Sequence, residues 1–200
     1  MNISNREIRA KAREALGKSI FSKTWLIAIA IGLIISGILA AANYISSGFA
    51  TLFLSGPLYV GLNMAYLHIT RGDKEVTIGS AFEGCYDFKS NLVLGLMHNL
   101  IIWLWSLLLI IPGIIKGFSY SMAYYIKADH PEYGWRECLE KSETMMKGYK
   151  FKYFLLNLSF IGWILLSIVT FGLASFWVSA YMSTASAVFY DELKREKYIF

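Results

Sequence analysis

The chain is built around repeated stretches of about 20 mostly apolar residues, the length at which an α-helix crosses roughly 30 Å of bilayer hydrocarbon. At that depth no water is available to satisfy backbone groups, so a spanning chain must be helix or closed barrel, and these runs are too long and too little alternating for barrel strands. Of the 200 residues 56% are hydrophobic and only 16% charged, with a mean hydropathy of +0.47. A soluble domain carries about 45–50% apolar and about 25% charged residues. A water-soluble fold of this size could not bury the excess. The expectation is an all-α, polytopic membrane helix bundle forming one domain over residues 1–200.

Apolar runs at 25–42, 48–69, 91–111, 114–128, 153–170 and 173–190 define six expected transmembrane helices. The third and fourth are nearly continuous; Pro112 and Gly113 supply the only punctuation for a reversal. Charge gives a separate test of that count. Lysine and arginine collect before the first run (Arg6, Arg9, Lys11, Arg13, Lys18, Lys23) and after the second (Arg71, Lys74, Lys89). They collect again after the fourth (Lys127, Arg136, Lys141, Lys147, Lys150, Lys152) and the sixth (Lys194, Arg195, Lys197), so that only Lys116 falls at an outer turn. By the positive-inside rule the six helices form three hairpins with both termini cytoplasmic and short external turns at 43–47, 112–113 and 171–172. The natural location is a bacterial plasma membrane. Ala40 and Ala42 form an A-x-A, but the polar lead-in of 23 residues and the length of the first run fit an uncleaved span better than a signal peptide.

Two amphipathic interfacial helices are expected on the inner side. Residues 1–23 form a basic N-terminal segment in which Ser4 and Glu7 make a capping box and Ile3 and Ile8 a staple, so a helix starts at Asn5. Ile8, Ala12, Leu16 and Ile20 line one face, and Arg6, Arg9, Arg13 and Lys18 the others. Within the bundle at 24–194, the cytoplasmic stretch 130–150 carries a second stripe of Trp135, Leu139, Met146 and Tyr149 between basic residues. Helices of this kind lie at the headgroup level. Arg9, Arg13, Arg136, Lys147 and Lys150 are the candidate headgroup contacts. Anionic lipid, rather than nucleic acid, is the expected partner of this charge, because the basic residues flank apolar runs instead of forming a soluble basic face. A cytoplasmic or membrane protein partner could dock on the same face.

Chemistry-bearing residues are sparse. No aspartate or glutamate lies inside the six runs; Asp129 and Asp191 sit at inner boundaries. That counts against ion-coupled transport and intramembrane hydrolysis, which use buried carboxylates. No HExxH, GxSxG or P-loop occurs, and the three histidines are far apart, so no catalytic residue, cofactor site or metal site is expected. Cys85 and Cys138 read as reduced structural thiols. The polar residues at depth read first as interhelical hydrogen-bonding groups. The alternative is a polar cavity lined by Asn63, His98, Asn99, Lys116, Tyr120 and Asn157. Small residues recur at every fourth position in the first span (Thr24, Ala28, Gly32, Ser36, Ala40) and the sixth (Ser175, Ser179, Ser183, Ala187). These faces pack either within one chain or across a homodimer. Trp25, Trp135 and Trp177 suit an interfacial belt, and Trp163, mid-span, packs or faces a cavity.

From residue 129 the chain reads D-H-P, then K-S-E-T-M-M-K-G-Y-K at 141–150, L-S-F-I-G-W at 158–163 and F-Y-D-E-L-K at 189–194. With R-E-I-R-A-K-A-R-E-A-L at 6–16 and I-P-G-I-I-K at 111–116, this resembles bacterial integral membrane proteins of the domain of unknown function 975 family. It is more distantly similar to the membrane domain of some glycerophosphodiester phosphodiesterases, whose chemistry resides in a soluble domain that this chain lacks. Ser179-Ala180-Tyr181 departs from the pattern where a proline would precede the tyrosine, which implies a straighter sixth helix. The resemblance implies a multi-span protein and no catalytic residues. The functional expectation is a non-enzymatic membrane-organising or accessory component acting through its basic cytoplasmic face; the alternative is a small-solute or lipid transporter.

Overall fold

The structure is a computed structural model that describes residues 3–17, 19–46, 49–72, 76–108 and 110–197. Lys18 and Lys74 of the charge pattern, Ser47 of the first turn, Gly48 and Leu109 lie outside the described residues. Every regular element among the described residues is helical: α1 Asn5–Leu16, α2 Lys23–Ser46, α3 Phe49–Arg71, a 3-10 helix Ile78–Cys85, α4 Phe88–Leu108 and α5 Ile110–Tyr120. There follow α6 Ala123–Asp129, α7 Trp135–Met146, α8 Lys150–Leu158, α9 Ile161–Val169 and α10 Ser175–Lys197. Helix α1 begins at Asn5 as expected, because the Ser4 hydroxyl accepts the Glu7 amide at 3.2 Å and the Glu7 carboxylate accepts the Ser4 amide at 2.6 Å.

Four helical stretches among the described residues are long and apolar enough to cross a membrane: Lys23–Ser46, Ala50–Arg71, Phe88–Leu107 and Lys150–Val169. The last is α8 and α9 together, broken at Ser159 and Phe160. The other two expected spans depart from a simple crossing for different reasons. The segment 114–128 is divided between α5 and α6 by a turn at Ser121 and Met122, where the serine hydroxyls bond back to backbone carbonyls (Ser119 to Ile115, Ser121 to Phe118) and compete with the helical ladder. Helix α10 has the length, but it mixes Ser, Thr and Tyr with Asp191, Glu192, Lys194 and Arg195, which lowers its hydropathy. It runs unbroken through Ser179–Tyr181, so the position without a proline is continuous helix.

The reversals also shift. Residues 43–46 belong to α2, so the helix continues through the expected first turn. Pro112 and Gly113 sit inside the first turn of α5 instead of at the reversal, since proline needs no amide partner there. The chain reverses between Ser106 of α4 and Gly113 of α5, which lie so close that a side chain at Gly113 would collide with Ser106. Phe171 (φ 52°) and Gly172 (φ 87°) make the last reversal by consecutive left-handed residues.

Burial is lopsided along the bundle. One end, where α1, α6, α7 and the C-terminal half of α10 meet, holds the main core: Ile8, Leu16, Met122, Ile126, Met145 and Phe189 are all sealed from solvent. At the other end the hairpin tips are bare, with Tyr44 90%, Leu107 71% and Phe171 98% exposed. The N-terminal helix therefore seats its apolar face, Ile8, Ala12 and Leu16, on protein, chiefly α10. Helix α7 likewise buries Cys138, Leu139, Ser142, Met145 and Met146 against α4, α5 and α6, while Trp135 and Tyr149 of the expected stripe are only partly covered.

Helix α3 is the hub, contacted by α1, α2, α4, α6, α10 and the 3-10 helix. Two contacts there are backbone on backbone. A side chain at Gly61 would overlap the Ala81 carbonyl, and one at Gly84 the Pro57 carbonyl, so the 3-10 helix lies directly on the middle of α3. Gly56 meets Asn91 and Gly95 of α4 in the same manner. Gly61→Val should therefore cost about 1–3 kcal/mol or more through overpacking, seen as a lower unfolding midpoint in detergent. Gly37→Ala, where an added methyl meets nothing within 4 Å, should leave it unchanged or raise it.

Candidate functional site

Polar side chains gather at the packed end around Asp129, the last residue of α6. Arg71, closing α3, grips it with both guanidinium nitrogens (2.6 and 2.8 Å), and from α10 the Tyr190 hydroxyl (3.0 Å) and the Lys194 ammonium (2.9 Å) donate to the same carboxylate. Arg71 also donates to Asp191 at 2.8 Å, and Thr70 to its second oxygen at 3.2 Å. Burial alone would raise the Asp129 carboxyl, but the hydrogen bonds from Arg71 and Lys194 outweigh it and hold the group at about 2. With its lone pairs taken up this way, Asp129 latches three helices, and with Arg71, Asp191, Lys194 and Arg195 it lines an open depression of about 420 Å³.

A second polar knot stands beside it. The Lys127 side chain, 2% exposed, runs back to the start of α4 and donates to Ser90 at 2.7 Å, Asp87 at 3.3 Å and the Tyr133 carbonyl at 2.9 Å. Buried ammonium groups survive only when their protons are shared out in this way. Ser142 of α7 repairs the α5–α6 break: its hydroxyl accepts the Met122 amide at 3.2 Å and donates to the Ser119 carbonyl at 2.8 Å. One fully buried side chain thus satisfies both backbone groups that the interrupted helix leaves open.

Of the six polar residues proposed to line a cavity, three come together. His98 lies against Tyr120 and Tyr124, with ring centroids 6.3 and 4.9 Å away, and the Lys116 ammonium lies 3.4 Å from the Tyr120 hydroxyl. Lys116 also pairs with Glu143 of α7 at 2.7 Å and sits over the Trp105 ring, so the one basic residue assigned to an outer turn is engaged by the 130–150 stretch. Asn63 and Asn157 return their amides to carbonyls one turn back on their own helices, those of Tyr59 and Tyr153. Asn99 is exposed. Among the described residues no group of three or more His, Cys, Asp or Glu side chains could hold a metal ion. Cys85 is an exposed free thiol; Cys138 is buried, which pushes its thiol up to about 11.

The basic candidates divide among three places. Arg136 lies over the Trp135 ring, 5.1 Å from its centre, at the start of α7, whereas Lys147 and Lys150 flank the turn at Gly148 (φ 88°) that carries the chain from α7 into α8. Arg9 and Arg13 instead face the hairpin formed by α9 and α10. Arg9 donates to the Ser159 carbonyl at 3.2 Å, where the α8–α9 break exposes it, and Arg13 borders an apolar groove of about 350 Å³ walled by aromatic residues of the α1–α2 elbow, α9 and α10. The sequence signal for that groove was limited to aromatic residues near helix ends.

Residues 107–197 match the family model described as Protein of unknown function (DUF975). Over this segment the chain is similar to the DUF975 family. No curated protein and no solved structure matches the chain. The DUF975 segment runs from the end of α4 through α10, and so includes Asp129, Tyr190, Asp191 and Lys194 of the latch, Lys116 with Glu143, and Ser142. Arg71 and the Lys127 acceptors Asp87 and Ser90 come from outside it. The latch is thus the place where the DUF975 segment is fastened to the hairpin that precedes it.

Two measurements probe this end of the bundle. Ser142→Ala strands the Met122 amide and the Ser119 carbonyl and should cost about 1–3 kcal/mol, read from thermal unfolding in detergent. Asp129 titrates lower in the folded state than the unfolded value of about 3.9, so its stabilisation is present above about pH 4 and is lost as pH falls toward 2. Asp129→Asn should reduce stability at pH 7 and flatten the loss of stability of the wild type between pH 4 and pH 2.

Proposed function

We propose that this protein is a non-enzymatic component of a bacterial plasma membrane, organising or assisting a membrane process through lipid or protein contacts on its basic inner face. In this reading it crosses the bilayer six times as three hairpins, with α5–α6 as the fourth crossing and α10 as the sixth, and with both termini cytoplasmic. The observation that carries the reading is the polarity of the bundle. The hairpin tips expose apolar side chains on every side, which requires lipid around them, whereas ion pairs and packed interfacial helices gather at the opposite end.

The polar groups in the bundle support an organising role better than transport. Asn63 and Asn157 are satisfied within their own helices, and Asp129, Lys127 and Ser142 tie elements together. The basic residues near the Gly148 turn would meet anionic headgroups, each worth about 1 kcal/mol close to a charged leaflet. On the small faces of α2 and α10 the Ala28 carbonyl accepts from Tyr66 at 3.3 Å and the Ser183 carbonyl from Tyr125 at 3.4 Å, while Ser36, Ala40 and Ser179 are exposed.

Substituted-cysteine labelling tests the arrangement. In a Cys85→Ser, Cys138→Ser background, Glu140→Cys and Lys147→Cys should be protected from an impermeant reagent in intact cells and labelled after permeabilisation, whereas Phe171→Cys should be labelled in intact cells. External labelling at position 140 or 147 would overturn it. In purified protein, replacing Arg136, Lys147 and Lys150 by glutamine should reduce co-purified anionic lipid relative to zwitterionic lipid.

A further inference from the structure

The groove beside Arg13 has a composition that its neighbours lack. Its walls are ring faces of Phe21, Trp25, Trp163, Trp177 and Tyr181, and Arg13 is the one charged residue among the lining. The apolar character has a mechanical cause. The Trp177 indole N–H donates to the Ile20 carbonyl at 3.2 Å, the Trp25 N–H to the Gly17 carbonyl at 3.4 Å, and the Tyr181 hydroxyl to the Arg9 carbonyl at 2.9 Å. Each amphipathic ring directs its polar atom into backbone of α1 or the α1–α2 elbow and leaves its apolar faces toward the groove. The rings brace one another as well: Phe21 meets Trp177 edge-on at 6.4 Å, and Trp163 meets Tyr181 edge-on at 6.4 Å.

The lining includes exposed apolar residues of α9 and the turn after it, Leu166 at 44% and Leu173 at 66% exposed. Arg13 makes no ion pair among the described residues, and Arg9, one turn earlier on α1, has a single carbonyl acceptor for its guanidinium. About 350 Å³ falls within the range of small-molecule sites. An apolar aromatic groove with exposed leucines and one guanidinium in its lining fits a molecule with an apolar tail and an anionic head. Guanidinium groups bind phosphate oxygens bidentately, which an ammonium cannot do.

We infer that the aromatic groove between the α1–α2 elbow, α9 and α10 holds an acyl chain of an anionic glycerophospholipid from the surrounding bilayer, with its phosphate on Arg13. The inference rests on the bilayer reading of the chain and gives it a lipid preference and a defined seat.

The test uses the full chain reconstituted in vesicles of phosphatidylcholine or of phosphatidylcholine with phosphatidylglycerol, in each case with one lipid brominated on its acyl chains, and follows quenching of tryptophan fluorescence. Trp25, Trp163 and Trp177 report the groove, whereas Trp103, 62% exposed on α4, reports general contact with lipid. With Trp103, Trp105 and Trp135 changed to Phe, brominated phosphatidylglycerol should quench at about fivefold lower mole fraction than brominated phosphatidylcholine. Arg13→Gln should abolish that preference, Arg13→Lys should keep part of it, and Lys89→Gln, at an exposed position of α4 outside the groove, should leave it intact. Equal quenching by the two lipids in the wild-type groove, or a preference that survives Arg13→Gln in protein of wild-type helicity, would overturn the inference. A variant that retains only Trp103 separates the two readings: absence of quenching there by any brominated lipid would defeat the bilayer reading itself, while quenching there without a groove preference would defeat the lipid seat alone. Should Arg13→Gln fail to reconstitute, native mass spectrometry of the wild type decides, with one retained phosphatidylglycerol expected and none overturning the site.

Discussion

Asp129 stands where the ends of α3 and α6, far apart in sequence, meet the C-terminal part of α10. It closes α6, takes both arms of Arg71 from the end of α3, and receives Tyr190 and Lys194 from α10. Desolvating a carboxylate is expensive, and the arrangement is tolerable only because every donor around it is placed to repay that cost. The consequence reaches beyond the ion pairs. With α3, α6 and α10 held in register, Lys127 is brought to the start of α4, and α7 is pressed onto the break between α5 and α6, where Ser142 completes the backbone bonding.

The bundle is therefore organised from one end. Cohesion at that end comes from sealed apolar side chains, a shared charge network and hydroxyls that mend interrupted helices. Along α3 it comes from backbone contact, since Gly61 with Gly84 and Gly56 with Gly95 let chains approach more closely than any side chain would allow. Toward the hairpin tips the helices carry leucine, isoleucine and aromatic residues outward. Association in lipid gains nothing from hiding apolar surface, so close approach and polar pairing are what remain to hold helices together. The similarity of residues 107–197 to the DUF975 family falls on the part of the bundle that contributes most of the latch.

Much of this was legible in the chain. The capping box at Ser4 and Glu7 set the start of α1 locally, and the runs at 25–42, 48–69, 91–111 and 153–170 correspond to the four stretches apolar and long enough to cross a membrane. Local signals failed where a partner elsewhere decided the geometry. Pro112 read as a reversal because proline breaks helices, yet it is equally at home in a first turn, and the hairpin closes before it. The stripe on α7 read as a surface helix because amphipathicity does not distinguish a headgroup layer from a protein groove. Asn63, Asn99 and Asn157 were grouped with His98, Lys116 and Tyr120 by polarity alone, and polarity carries no information about which helix face meets which.

What the sequence determined by itself was the solvent and the secondary structure: the length and composition of the apolar runs demand helices in a lipid environment, because no other conformation satisfies the backbone there. What only the tertiary structure decided was the use of the polar and small residues. Whether Arg71 is a boundary marker or half of an interhelical clamp, whether Gly61 is a weak helix former or a docking point, and whether Trp25, Trp163 and Trp177 are separate belt residues or one groove depends on contacts across as many as 152 positions of chain. Residues that far apart act on one another only after folding has brought them together, and the spacing between them records nothing of that distance.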